Sequence, residues 1–303
     1  MADPEESSNL RGPAADLQRS IAGDRILWSV IFRPPYDAHP LLGAARDELG
    51  GLLTSLEGPG LPPLVGTDGP SFSWEIDAVP LAALLASGAT SVRAAFELLY
   101  RAGQVLARAA EQATPHGLYC HGAITPWRVL VDIRGQVHII GYGIPAVEVL
   151  AYLDEESDDA PPDAFRYTTA ERLEDRDDDL STDLYALAAI AAHLATGKAV
   201  FEGTGVEIIE QILQGDGPDA LEEIGSALSD DELELLCALM ELKPAQRARP
   251  EDAIAAAEEL SRTAKDLDLA ALVASLSTAG KAPQHTQRPT PEAAGTDEAP
   301  EAS

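Results

Sequence analysis

Side chains placed to do chemistry are few in this sequence, and most lie between His116 and Arg247. "HGAITPWRVLVDIRGQVHIIGYG", His121 to Gly143, reads as a short strand, a turn at Arg134-Gly135 and a second strand closed by glycines. Just before it, "HGLYCH" (His116 to His121) gathers two histidines and a cysteine, residue types that bind transition metals. Their spacing fits no common zinc pattern, and core packing is the simpler reading of His121. Asp154 to Asp159 and Asp175 to Asp179 are acidic runs without the D-x-D-x-D-G order of a calcium loop. Solvated loops are expected there, the first able to dock a basic partner. No G-x-S-x-G occurs, and no Ser/His/Asp arrangement points to a hydrolase.

The elements that must position these residues divide into a sheet-containing first part and a helical second part, an α+β pattern. Leu17 to Phe32, "LQRSIAGDRILWSVIF", holds two β-prone runs divided by Gly23-Asp24, which predicts a hairpin. "HPLLGAARDELGGLLTSLEG" has apolar residues at helical spacing, weakened by its glycines. "SFSWEIDAV", Ser71 to Val79, alternates like a strand, and "LAALLASG" predicts a short helix stopped by Gly88. Ser91 to Ala113 is a long amphipathic helix. Ser181 to Gly197 is Ala/Leu-rich nearly all round, which predicts a buried helix with Thr182 as its cap. "VEIIEQILQG", "DELELLCALMEL" and "PEDAIAAAEELSRT" are further amphipathic helices. Residues 1–15 and 277–303 are expected to be disordered. Thr286, Thr290 and Thr296 in the tail are candidate phosphorylation sites.

A chain of 303 residues with 45% apolar content suits one large domain or two lobes sharing a core. The formal net charge is −30, from 51 Asp and Glu against 21 Lys and Arg. So acidic a surface repels DNA, RNA and anionic lipid. Basic protein surfaces fit it as partners; solubility alone accounts for it equally well. The lysines are Lys198, Lys243, Lys265 and Lys281, so none lies in the first 197 residues. Cys120 and Cys237 sit in apolar surroundings and are expected to be buried reduced thiols, which fits a cytoplasm. The acidic N-terminus has no apolar run of a secretion signal, and no stretch is apolar enough to span a bilayer.

The order of these pieces resembles the protein kinase family, bacterial serine/threonine kinases in particular. The likeness covers roughly Leu17 to Val273 and is strongest from His116 to Pro250. In that family a long helix leads to a catalytic loop H-R-D-L-K-P-x-N, a strand pair and D-F-G. Here "HGAITPWR" and "GYG" stand in those places, at the family's separation. "RYTTAERLED" is similar to the segment carrying A-P-E, with Thr169-Ala170-Glu171 in its place. "STDLYALAAIAAHLATGKAVFEG" is close to the family's S-x-D-[VLI]-[YW]-[AS]-[LF]-G…TG-x-x-P-F, and "ELKPAQRARPEDAIA" to its late D-P-x-x-R-P segment. Each motif alone is a weak signal; four in order are a specific one.

What the resemblance implies is a retained frame around an emptied site. Phosphoryl transfer needs positioned phosphates, Mg²⁺ and a carboxylate near the accepting hydroxyl. The loop's Asp would fall at Ala123, whose methyl group orients nothing. Its metal-binding Asn would fall at Arg128, a permanent cation that cannot ligate Mg²⁺. The D-F-G Asp would fall at Gly141, and the loop's Lys at Thr125. The third-strand Lys is absent, Arg33 sits past the end of "RILWSVIF", and there is no G-x-G-x-x-G. Glu48 is the candidate for the family's helix glutamate; without a lysine partner it is expected to be a solvated surface charge. Residues with architectural roles in the family are matched instead: His121 in the core, Asp183 capping its backbone, and Glu171 paired with Arg247.

The expected fold is α+β, bilobal and protein-kinase-like, with a reduced N-terminal β-lobe (16–78) and a helical C-terminal lobe (79–276). The expected function is that of a catalytically inactive pseudokinase without cofactor or metal, a protein-binding or allosteric scaffold in bacterial signalling or assembly. The alternative is a kinase-fold enzyme with weak or non-standard ATP-dependent transferase activity. It would need a carboxylate in the cleft, for which Asp132 and Asp77 are the nearest candidates by sequence.

Overall fold

The computed structural model describes residues 9–147, 149–150, 162–176 and 178–278. The acidic run Asp154 to Asp159, the tail threonines Thr286, Thr290 and Thr296, and the side chain of Glu48 lie outside the described residues.

The first lobe is built on β1 (Asn9–Arg11), β2 (Ala15–Ala22), β3 (Arg25–Phe32), β4 (Leu64–Asp68) and β5 (Ser71–Glu75). They form one antiparallel sheet in the order β1-β2-β3-β5-β4, with helix α1 (Pro40–Ser55) inserted between β3 and β4. Alternation along β3 and β5 puts Trp28, Val30, Phe32, Phe72 and Trp74 on one buried face. Register sets Trp28 against Trp74 and Val30 against Phe72 across the strand pair.

The expected hairpin forms as β2–β3. Residues 1–8 of the stretch expected to be disordered lie outside the described residues, and its remainder is ordered from Asn9. From there the chain makes an edge strand whose register is Asn9↔Gln18, Leu10↔Leu17 and Arg11↔Asp16. Backbone pairing with β2 holds this strand, and composition does not register backbone pairing.

The second lobe opens with β6 (Val79–Pro80), which joins β7 (Val129–Val131) and β8 (Val137–Ile139) in a small antiparallel sheet. Helices α2 (Leu81–Ala86) and α3 (Val92–Ala113) precede β7. After β8 come α4 (Pro162–Phe165), α5 (Ala170–Leu173), α6 (Leu180–Thr196), α7 (Gly205–Gln214), α8 (Gly217–Ile224), α9 (Asp230–Leu239), α10 (Pro250–Thr263) and α11 (Leu269–Thr278). Helix α6 is buried along nearly its whole length, as its Ala/Leu composition predicts. Its cap is Asp179 rather than Thr182: Asp179 accepts from Ser181 N, and Thr182 closes a capping box one turn in. Mid-helix Gly103 of α3 lets α10 approach closely. A Cβ there would fall 2.7 Å from Ile254 Cγ1. Cys120 is buried as expected, whereas Cys237, on α9, is only partly so; both thiols are free.

The last helix is strapped onto the first long one. Ser91 Oγ donates to Leu267 O at 2.6 Å, Val92 N to Asp266 Oδ2 at 2.9 Å, and Leu269 N to Glu97 Oε2 at 2.9 Å. Leu269, Leu272 and Val273 are then fully buried, so the helix reaches into the stretch from 277 expected to be tail. Leu269→Ala is expected to lower stability by ~2–5 kcal/mol, read from the urea midpoint at unchanged slope. Among the described residues no helix is long and apolar enough to cross a membrane.

Candidate functional site

The loop before β7 is held by two buried side chains. Asp183, from the first turn of α6, accepts from His121 N (2.7 Å) on one oxygen and from Gly122 N (2.9 Å) on the other. The His121 ring is fixed at both nitrogens: Nδ1 accepts from Ala123 N at 3.2 Å, so Nε2 carries the proton and faces Ile140 O at 3.0 Å. Burial, reinforced by the nearby Arg128 charge, pushes the imidazole down to about 3, which keeps it neutral. Burial pushes the Asp183 carboxyl up to about 7 against the pull of its two N–H donors. The Tyr142 ring meets His121 edge-on, with centroids 5.6 Å apart.

The three positions that would do chemistry do something else. Ala123 is packed into the main apolar core, and the hollow beside it measures only about 20 Å³. Arg128 is buried, and its guanidinium donates to Ile144 O (2.6 Å), Gly141 O (3.3 Å) and Pro145 O (3.3 Å). It therefore pins the Gly141–Pro145 turn to the end of the loop. Gly141 has φ +82°, and a Cβ there would lie 3.3 Å from Arg128 Nη1. A side chain at Gly141 would meet strain and the guanidinium together.

Glu171 and Arg247 meet in a bidentate pair, Nη1–Oε1 at 2.5 Å and Nη2–Oε2 at 2.9 Å, with side chains 0% and 1% exposed. Thr182 Oγ1 also donates to Glu171 (3.1 Å), Arg247 Nε donates to Glu241 O (2.8 Å), and the guanidinium lies 4.8 Å from the Tyr185 ring centroid. Burial opposes ionisation of Glu171, but the Arg247 guanidinium outweighs it and holds the carboxyl below its usual range. One neighbour of this pair is invisible in the motif pattern. Gly122 stands at the arginine of H-R-D, and the guanidinium of Arg172 fills that space from α5. A Cβ on Gly122 would fall 1.7 Å from Arg172 Nη2. Arg172 in turn pairs with Asp178 at 2.6 Å.

Between the lobes, Gly12 to Ala15 makes a tight turn where the family's glycine-rich loop would run. Gly12 N donates to Ala15 O at 2.9 Å. Arg33 is committed to this turn. It donates to Pro13 O (3.0 Å) and Gly12 O, and its Nε lies 3.3 Å from Asp16 Oδ1. Below the turn lies the Trp127 ring, 3.6 Å from where a Gly12 Cβ would sit. Trp28 Nε1 donates to Ala78 O at 3.0 Å, on the segment joining the lobes.

The cavity left among Gly12–Leu17, Val30, Phe32, Thr125, Trp127 and Arg128 measures about 40 Å³. One water needs ~10–15 Å³, so this hollow has room for a few waters. Asp132 is spent on the β7–β8 turn, where its Oδ1 accepts from Arg134 N (2.8 Å) and Gln136 N (2.9 Å), and Asp77 is exposed beside the lobe junction. The carboxylate that does line the cleft is Asp16, which the spacing of motifs did not single out and which Arg33 neutralises. A nucleotide with divalent metal, the groups a kinase-like fold implies, thus does not fit the residues present.

No family model matches the chain, and no curated protein does. Its structure is similar to the kinase domain of PknI from Mycobacterium tuberculosis, with a TM-score of 0.55 at 14% identity over 82% of this chain and 92% of that one. It is also similar to a double mutant of that kinase domain, with a TM-score of 0.55 at 17% identity over 84% of this chain and 93% of that one. The two-lobe architecture is protein-kinase-like.

Proposed function

We propose that this chain uses a protein-kinase-like fold without its chemistry, as a catalytically inactive domain that binds a protein partner or acts as an allosteric scaffold. The observation that carries the reading is Arg128. A buried guanidinium bonded to three backbone carbonyls stands where the resemblance expects a metal ligand, facing a glycine where it expects a second. Phosphoryl transfer relies on positioned charge far more than on covalent chemistry, and here the positive charge is spent on holding a turn. The small cleft and the absence of lysine from the first 197 residues support the same reading. The likeness to a bacterial kinase domain favours a role in bacterial signalling or assembly, and the net charge of −30 favours a partner with a basic surface. A weak or non-standard transferase is the other reading; Asp16 is its best carboxylate, and the Arg33 pair argues against it.

The test is direct. Nucleotide at about 100 times its Kd would raise stability by ~2.7 kcal/mol. Millimolar ATP, with Mg²⁺, with Mn²⁺ or alone, is expected to leave the thermal midpoint unchanged. No labelled phosphate is expected to transfer to the protein or to a generic substrate. Transfer abolished by a cleft substitution would overturn the reading.

A further inference from the structure

We propose that the Trp28 indole is the built-in occupant of the interlobe cleft, holding the lobes together in the place where the fold would otherwise take a nucleotide. The proposal deepens the inactive reading and rests on it. Trp28 lies on the inner face of β3, 3% exposed, and its one polar atom is satisfied by Ala78 O at 3.0 Å. Ala78 belongs to the short segment connecting the lobes, so a first-lobe strand is bonded to the crossing point itself. Beneath it the apolar cluster does not stop at the lobe boundary. Trp28, Val30, Phe32, Phe72 and Trp74 share one buried cluster with Leu130, Ile140, Ile144 and Val147 of the second lobe.

A planar aromatic body with a single N–H donor, bonded to a backbone carbonyl and buried in an apolar cluster shared by both lobes, does what a bound heterocycle would do. The mouth is closed separately: the Gly12 turn rests on Trp127, and Arg33 holds that turn's carbonyls. The lobes are thereby one packed body, and the surface shown to a partner is fixed rather than opened and closed by a ligand.

The test compares wild type, Trp28→Ala and Trp28→Phe. In Trp28→Ala, amide exchange is expected to quicken by roughly tenfold or more on both sides of the cleft, in β3 and also at Leu130 and Ile140. Apolar cavities left by core truncation bind small aromatics. Millimolar indole is therefore expected to raise the Trp28→Ala midpoint by about 2–4 °C and to slow exchange again, while leaving wild type unmoved. Trp28→Phe keeps most of the apolar body and loses the N–H. It is expected to fold and to show an intermediate exchange rate at Val79, which keeps the test alive if the alanine variant does not fold. Faster exchange confined to β2–β5 would overturn the proposal and make Trp28 an ordinary first-lobe core residue. So would an equal indole response in wild type. An ATP-induced shift of wild type sinks the inactive reading whatever Trp28 does, so the two failures are separable.

Discussion

Glu171→Ala is expected to cost the protein ~3–5 kcal/mol, and Arg247→Ala a similar amount. Either change leaves one charge buried with its partner gone, in a site where both side chains are essentially inaccessible to water. The stranded arginine would still reach Glu241 O, Leu242 O and the Tyr185 ring, but would lose the carboxylate that balances its charge. The double variant is expected to cost clearly less than the sum, because the second substitution removes the stranded charge. Strict additivity in urea unfolding would mean the pair does not meet.

The pH dependence has a definite sign. The folded carboxyl of Glu171 titrates below its unfolded value of about 4.3. Its contribution is therefore complete above that unfolded value and is lost as pH falls through the lower folded one. The stability gap between wild type and Glu171→Ala is expected to hold near neutrality and to shrink on acidification below about pH 4.

Arg128→Met is the second large effect expected. Three carbonyls, those of Gly141, Ile144 and Pro145, lose a charged donor at once. Hydrogen bonds to charged groups contribute ~1.5–3 kcal/mol each, and part of the loss returns as the methionine packs. A net loss of about 2–4 kcal/mol is expected in equilibrium unfolding. Arg128→Lys is expected to recover only part of it, since an ammonium lacks the planar fork that reaches several carbonyls at once.

Rebuilding the family's pattern with Ala123→Asp, Arg128→Asn and Gly141→Asp together is expected to give a less stable protein that still transfers no phosphate. The pinning guanidinium would be gone, Gly141 would carry a side chain at φ +82°, and the cleft would still hold Trp28. Activity from that triple variant would show that three residues alone separate this chain from a working enzyme.

Much of the helical lobe is legible in the sequence because its signals are local. The periodicity of α3, the Ala/Leu saturation of α6 and the order of the motifs each sit within one continuous stretch. What escapes is tertiary. The edge strand Asn9–Arg11 is only three residues long, too short for its alternation to mark a strand, and exists through pairing with β2. Arg172 enters the space beside Gly122 from a different element, and no spacing rule connects the two. Chemistry alone excludes Arg128 as a metal ligand; only the fold shows which carbonyls it serves. Trp28 reads as one apolar residue in a β-run until its N–H finds Ala78. The cap of α6 shifts from Thr182 to Asp179 because both residue types cap helices well and the box uses both.

The strap between Ser91 and Leu267 has a kinetic consequence. Its ends lie 176 residues apart, and contacts of such range form late and slow folding. During synthesis at ~5–20 residues per second, α3 is made on the order of ten seconds or more before its strap exists. Over that interval the start of α3 lacks the cover of Leu269, Leu272 and Val273. The helical lobe is finished last by residues beyond the late arginine motif, and until they are made the start of α3 waits for the cover they supply.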